Sequence, residues 1–159
     1  MLSVPVGAHA QEPAPEQDVS PQELFGQVIA QDRRTTTAVK LLLGSGAGFV
    51  SPRSQFADLT GDGKEDAVVA VATAGAAGAI AGYVLTADGS SAGRLRVVFR
   101  SQTEYRLRLG VAGATLTLAV PVWGTADDLC CPSSLRERDY AWSSGARRFV
   151  RRAERTVRR

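Results

Sequence analysis

The chain has 159 residues, 44% of them hydrophobic, which suits one domain with a buried core. Its single histidine, His9, lies in the first ten residues, so the body of the chain has no imidazole for a Ser-His-Asp or Cys-His site or for a histidine-ligated zinc. The net charge of +3 is uneven: residues 147–159 carry seven arginines against Glu154, which leaves the remainder net acidic.

The chain opens MLSVPVGAHAQEPAPEQ, in which Ala8-His9-Ala10 is an A-x-A pattern suited to signal peptidase. The apolar run Leu2 to Val6 is short and has no basic segment before it. We therefore expect the tail end of a secretory signal whose start was lost to a misplaced start codon, with a mature chain near Gln11; the alternative is a disordered terminus of a cytoplasmic protein. Residues 1–19 thus read as signal remnant and flexible lead-in, rich in Pro, Glu and Gln after residue 11. No stretch approaches the roughly 20 apolar residues of a membrane-spanning helix. An extracytoplasmic, secreted or envelope location is expected, with no membrane span.

Ser20-Pro21-Gln22-Glu23 combines a cap candidate, proline at the first helical position and a glutamate three residues after the serine. Leu24, Phe25, Val28 and Ile29 follow at helical spacing, so one short amphipathic helix is predicted over Pro21 to Gln31. From Val39 onward the pattern changes to short β-type runs. Ala67 to Thr73 is nearly continuously apolar, as in a central strand buried on both faces. Further strands are predicted at Tyr83–Thr86, Leu95–Arg100, Tyr105–Leu109, Thr115–Val122, Arg138–Trp142 and Arg148–Arg152. The economical fold is α+β: a mainly antiparallel sheet with one N-terminal helix, a single domain over 20–152 and a basic tail over 153–159. The glycine clusters at 44–48 and 75–82 lack the Lys-Ser/Thr of a phosphate loop and read as flexible or tightly turned connections.

The segment Asp58 to Asp66, DLTGDGKED, sets oxygens at alternate positions: the carboxylates of Asp58, Asp62 and Asp66, the Thr60 hydroxyl and the Lys64 carbonyl. A calcium ion takes six to eight such oxygens, and three carboxylates held close without a cation would repel. Val69 stands where an EF-hand needs its bidentate glutamate, and a strand follows, so a helix-loop-helix site is excluded. What remains resembles the calcium loop of FG-GAP repeats, D-x-N-G-D-G-x-x-D before an apolar strand, with Asp58, Asp62, Gly63 and Asp66 matching and Thr60 departing. The unit occurs once, which argues against a propeller. The competing reading is a metal-free turn in which Asp58 and Asp62 accept bonds from backbone amides while Gly61 and Gly63 take positive φ.

Cys130 and Cys131 are adjacent in DDLCCP. Consecutive Cα atoms lie about 3.8 Å apart and a disulfide usually wants about 4.4 Å or more. With no third cysteine the options are a vicinal bridge as a rigid turn element, an intermolecular bond, two buried thiols, or a redox or soft-metal pair. The order DLTGDGKEDAVV, a glycine-rich connection, GYVL, CCPSS, RDYAW and RRFV resembles bacterial secreted proteins of the LppP/LprE lipoprotein type over about Phe56 to Val150. That resemblance implies an envelope or secreted protein; no lipobox cysteine is present.

In DYAWSSGARRFV, the aromatics Tyr140, Trp142 and Phe149 flank a turn and read first as sheet packing, with ligand stacking as the alternative. Three functions follow. The first is a non-enzymatic extracytoplasmic domain for an unidentified envelope or extracellular partner, with calcium stiffening the 58–66 loop if bound. The second is binding of an anionic polymer or nucleic acid through the Arg-rich C-terminus, nucleic acid being the less favoured. The third is metal-assisted hydrolysis by Asp58, Asp62 and Asp66, for which no nucleophile and base can be assigned.

Overall fold

The computed structural model describes residues 19–90 and 93–159; the A-x-A motif and the rest of residues 1–18 lie outside the described residues. Helix α1 spans Pro21–Gln31 as predicted. The Ser20 hydroxyl accepts from the Glu23 amide at 3.2 Å, and the Glu23 carboxylate accepts from the Ser20 amide at 2.9 Å. These bonds satisfy amides that the first helical turn would otherwise leave without partners, at about 1 kcal/mol per cap.

A second helix, α2, spans Thr37–Gly44 where β-type patterning was expected to begin. Five apolar-rich residues, Val39 to Leu43, fit strand or helix equally well by periodicity. The Thr36 side chain decides, accepting from the Val39 amide at 3.4 Å, and the helix then turns Val39, Leu42 and Leu43 onto the core. The expectation of one helix is corrected to two.

Nine strands follow: β1 (Gly48–Val50), β2 (Gln55–Ala57), β3 (Asp66–Thr73), β4 (Ala79–Ala87), β5 (Leu95–Ser101), β6 (Arg108–Ala112), β7 (Thr115–Val122), β8 (Ser134–Ser143) and β9 (Arg148–Arg158). One sheet runs β1-β3-β4-β5, with β2 also pairing β3; the other runs β6-β7-β8-β9, and every pairing is antiparallel. The mainly antiparallel architecture therefore holds, and with two short helices beside it either an α+β or a mainly-β class fits.

The alternation of β3 and β4 builds three layers. Ala67, Val69, Val71, Ala81, Tyr83 and Leu85 point to the helices, where they bury Phe25, Ile29 and Val39. Val68 and Val84 point to the second sheet and meet Phe99, Leu107, Leu116, Leu118 and Val120. A sheet covered on both faces needs apolar residues on both, which explains the unbroken run Ala67 to Thr73. Gly82 leaves little room beneath the second sheet: an added Cβ would lie 2.9 Å from Leu109 Cδ2 and 3.0 Å from Leu107 Cδ2.

The run expected as a strand over Tyr105–Leu109 begins only at Arg108. Residues 104–107 instead border the start of β4, through Glu104 N to Ile80 O and Leu107 N to Ala79 O, and then carry the chain to the second sheet. The expected basic tail over 153–159 is also revised, because β9 continues to Arg158, paired with β8 from Ser143↔Arg148 to Ser134↔Arg158.

Candidate functional site

The 58–66 loop closes on its own amides. Asp58 Oδ1 accepts from Gly61 N at 2.7 Å and Asp62 N at 3.1 Å, and its Oδ2 accepts from Gly63 N at 3.0 Å. Asp62 Oδ1 takes the Lys64 amide at 2.9 Å. Asp66 is fully buried; its Oδ2 accepts from Leu59 N and Thr60 N at 2.9 and 2.8 Å, and its Oδ1 from the Thr60 hydroxyl at 3.3 Å. Gly61 and Gly63 take φ of 74° and 81°, a region nearly reserved for glycine. Asp58, Asp62 and Asp66 thus share one loop but turn toward peptide N–H groups, with the Thr60 hydroxyl turned onto Asp66, and the positive ends of those dipoles offset the carboxylate repulsion. Among the described residues, no group of three or more His, Cys, Asp or Glu side chains is gathered around a metal position.

Cys130 and Cys131 are bonded to each other, the vicinal bridge weighed from the sequence, and both are exposed. Their turn is held by Arg106, whose Nη1 donates to the carbonyls of Cys130 at 3.2 Å and Leu129 at 3.5 Å. The same guanidinium donates through Nε to Ala76 O at 3.1 Å, and it lies 5.5 Å from the centre of the Tyr105 ring. Arg106 therefore ties the cysteine turn to the β3–β4 turn. Asp127 closes the other side, accepting from Gly124 N at 2.6 Å and Ser133 N at 2.8 Å. The Ser133 and then the Gly124 amide hold its carboxyl below the usual range.

The third feature is the β8–β9 hairpin. Residues 134–159 hold nine arginines against Glu137, Asp139 and Glu154. All three carboxylates are taken within the hairpin. Arg155 bridges Glu137, at 2.6 Å, and Asp139, while Arg151 meets Glu154 at 2.7 Å. The Thr117 hydroxyl, donating at 2.7 Å, and then Arg155 hold the Asp139 carboxyl below its ordinary value. Arg138 turns inward to Glu104 at 3.1 Å. That leaves Arg136, Arg147, Arg148, Arg152, Arg158 and Arg159 exposed and, among the described residues, outside any ion pair. β9 is the outer strand of its sheet, and every residue from Arg151 to Arg158 is exposed. Eleven residues at roughly 3.3 Å each give the strand a length of about 35 Å.

The aromatics of the hairpin pack, as first expected from the sequence. Phe149 meets Phe99 at 5.5 Å and Trp142 at 5.4 Å between ring centres, and Tyr140 meets Phe99 at 4.9 Å. Sequence reasoning found the arginine cluster but took it to run into a mobile tail. The signal available was the alternation of Val150, Ala153 and Val157 with arginines, which is faint because both faces of β9 past Phe149 meet solvent. No family model, curated protein or solved structure matches this chain.

Proposed function

We propose that this chain is a non-enzymatic, extracytoplasmic binding domain whose β8–β9 hairpin grips an extended anionic polymer of the cell envelope or its surroundings. One observation carries the reading: six exposed arginines, without carboxylate partners among the described residues, stand on an ordered hairpin whose outer strand is about 35 Å long. A strand holds its charges at a fixed repeat of about 6.6 Å on each face, so a chain laid along it meets several guanidiniums at once. Arginine suits this role because its planar fork of donors matches carboxylate, sulfate and phosphate groups. Arginines along an outer strand also discourage pairing with other strands, so the same residues keep the edge soluble while it is unbound.

The extracytoplasmic placement rests on the bridged Cys130–Cys131 pair, a chemistry of oxidising compartments, and on the resemblance of the DLTGDGKED and CCPSS segments to secreted proteins. Calcium at the 58–66 loop is an accessory proposal, motivated by the alternating Asp58, Asp62 and Asp66; the ion would have to displace the amides these carboxylates now accept from, and it would stiffen the entry to β3.

Retention on immobilised dextran sulfate against neutral dextran tests the reading. The intact chain is expected to be held at low salt by the sulfated matrix alone, and a variant with Arg152→Gln and Arg158→Gln to elute earlier. Equal elution of the two proteins would sink the hairpin assignment.

A further inference from the structure

Away from the edge of β9, the turn end of the hairpin borders a cleft of about 250 Å³ between the two sheets. It is lined by Arg34, Val98, Phe99, Arg100, Arg148 and Phe149. We propose that this cleft binds one oxyanion group, phosphate or sulfate, with the apolar wall receiving whatever carries it.

The charge balance points to an anion. Three arginines line it from three separate elements: Arg34 from the α1–α2 connection, Arg100 from β5 and Arg148 from the first position of β9. Among the described residues a single carboxylate pairs with any of them. Asp32 pairs with Arg100 at 3.0 Å, both side chains being mostly buried, at 18% and 15% exposure. Arg34 and Arg148 have no carboxylate partner among the described residues, so the cleft is left with two positive charges. Like charges brought to one cleft repel, and a bound anion removes that repulsion.

The position of Arg34 is fixed in advance. Gln102 Nε2 donates to the Arg34 carbonyl at 3.1 Å, and Gln102 Oε1 accepts from Thr36 N at 2.8 Å and from the Tyr83 hydroxyl at 3.0 Å. Tyr83 is fully buried, so the connection that carries Arg34 is anchored to the core. Asp32 adds a second tie by accepting from Thr35 Oγ1 at 3.3 Å. On the other wall, Arg147 ends the hairpin turn with a left-handed φ of 50° and so delivers Arg148 to the start of β9. A ligand therefore meets donors whose backbone is already ordered, which lowers the entropy lost on binding.

The rest of the lining, interleaved with the arginines, is apolar. Phe99 and Phe149 meet edge to face at 5.5 Å and 74°, with Val98 beside them. Guanidiniums against such a wall attract an anion more strongly than the same groups in bulk water, because the apolar side excludes solvent. An oxyanion on an aromatic or aliphatic body matches both surfaces.

The cleft shares Arg148 with the hairpin, but Arg34 belongs to the cleft alone, and two sets of variants tell the two proposals apart. Arg34 lies outside the hairpin, whereas Arg152 and Arg158 are on it and do not line the cleft. Titration calorimetry of the full chain with phenyl phosphate and with inorganic phosphate, at constant ionic strength, is the test. Saturable one-to-one binding is expected, weakened about tenfold in Arg34→Gln and in Arg148→Gln, as for loss of one charge-assisted hydrogen bond. The Arg152→Gln, Arg158→Gln double variant is expected to bind both compounds as the intact chain does. Both single substitutions are at exposed positions, and unchanged melting curves will show that they fold. Arg100 is left in place because its loss would strand Asp32. Tighter binding of phenyl phosphate assigns the cleft to an oxyanion carried on an apolar body, and equal binding assigns it to the free ion. Absence of saturation at millimolar ligand, or binding that Arg34→Gln leaves unaltered, overturns the proposal.

Discussion

Replacing Asp66 by alanine removes the acceptor that closes the 58–66 loop. The side chain is fully buried, and three bonds end on it, from Leu59 N, Thr60 N and the Thr60 hydroxyl. Leu59 is itself only 2% exposed, so its amide has no route to water without moving the loop. A hydrogen bond to a charged group contributes about 1.5 to 3 kcal/mol, and a buried donor left unpaired costs a similar amount. Thr60 is half-buried and its amide can turn toward solvent, so we take the full cost at one donor and part of it at the other, about 3 kcal/mol in all. For a domain of this size that corresponds to a fall in Tm of about 10 °C. Asp66→Asn keeps one acceptor oxygen for the Leu59 and Thr60 amides, loses the charge assistance and obliges the Thr60 hydroxyl to turn and accept from the new Nδ2, for a cost of about 1 to 2 kcal/mol. The assay is a thermal melt at neutral pH, with chelator and again with millimolar calcium. The alanine variant is expected to be destabilised in chelator. A variant that melts within about 2 °C of the intact chain in chelator, yet far below it in calcium, would refute the amide-closed loop and make the carboxylates cation ligands.

Three further outcomes follow from the packing and the loops. Gly82→Ala places a methyl within 3.0 Å of Leu107 and Leu109, and is expected to cost about 1 to 3 kcal/mol in denaturant unfolding. Gln102→Ala releases Thr36 N, the Arg34 carbonyl and the Tyr83 hydroxyl together, so hydrogen exchange at Thr36 should rise by about tenfold or more while the β7–β8 amides stay protected. Asp127 has a folded-state pKa below its unfolded one, so its contribution is present above about pH 4 and lost as the pH falls through the lowered folded value. The stability gap between the intact chain and Asp127→Asn should therefore close in acid, and a gap that widened there would contradict the assignment.

The parts of the fold legible from sequence are those decided locally. Ser20 and Glu23 fix the start of α1 between themselves, and the β3 run shows its double burial by composition alone. α2 was hidden because Val39 to Leu43 is too short a run for its period to be read, and the deciding cap at Thr36 lacks the glutamate that made α1 obvious. The short strands β1 and β2 form only because β3 offers them an edge. β9 past Arg152 was hidden for the same reason, since Thr156 and Val157 are strand residues only beside Arg136 and Leu135. At the 58–66 loop, spacing alone could not tell carboxylates that face a cation from carboxylates that face amides. The cleft is further from reach, because Arg34, Arg100 and Arg148 share no motif and meet only through the packing of β5 on β9.

The central claim is that the hairpin arginines bind an anionic chain. Its most direct test is the salt dependence of dextran sulfate binding, followed by fluorescence anisotropy for the intact chain and for a variant carrying Arg136→Gln, Arg152→Gln and Arg158→Gln. The account predicts that log affinity falls steeply with log salt, and that the triple variant flattens the slope by about one unit for each arginine removed. Parallel slopes with equal affinities would contradict it.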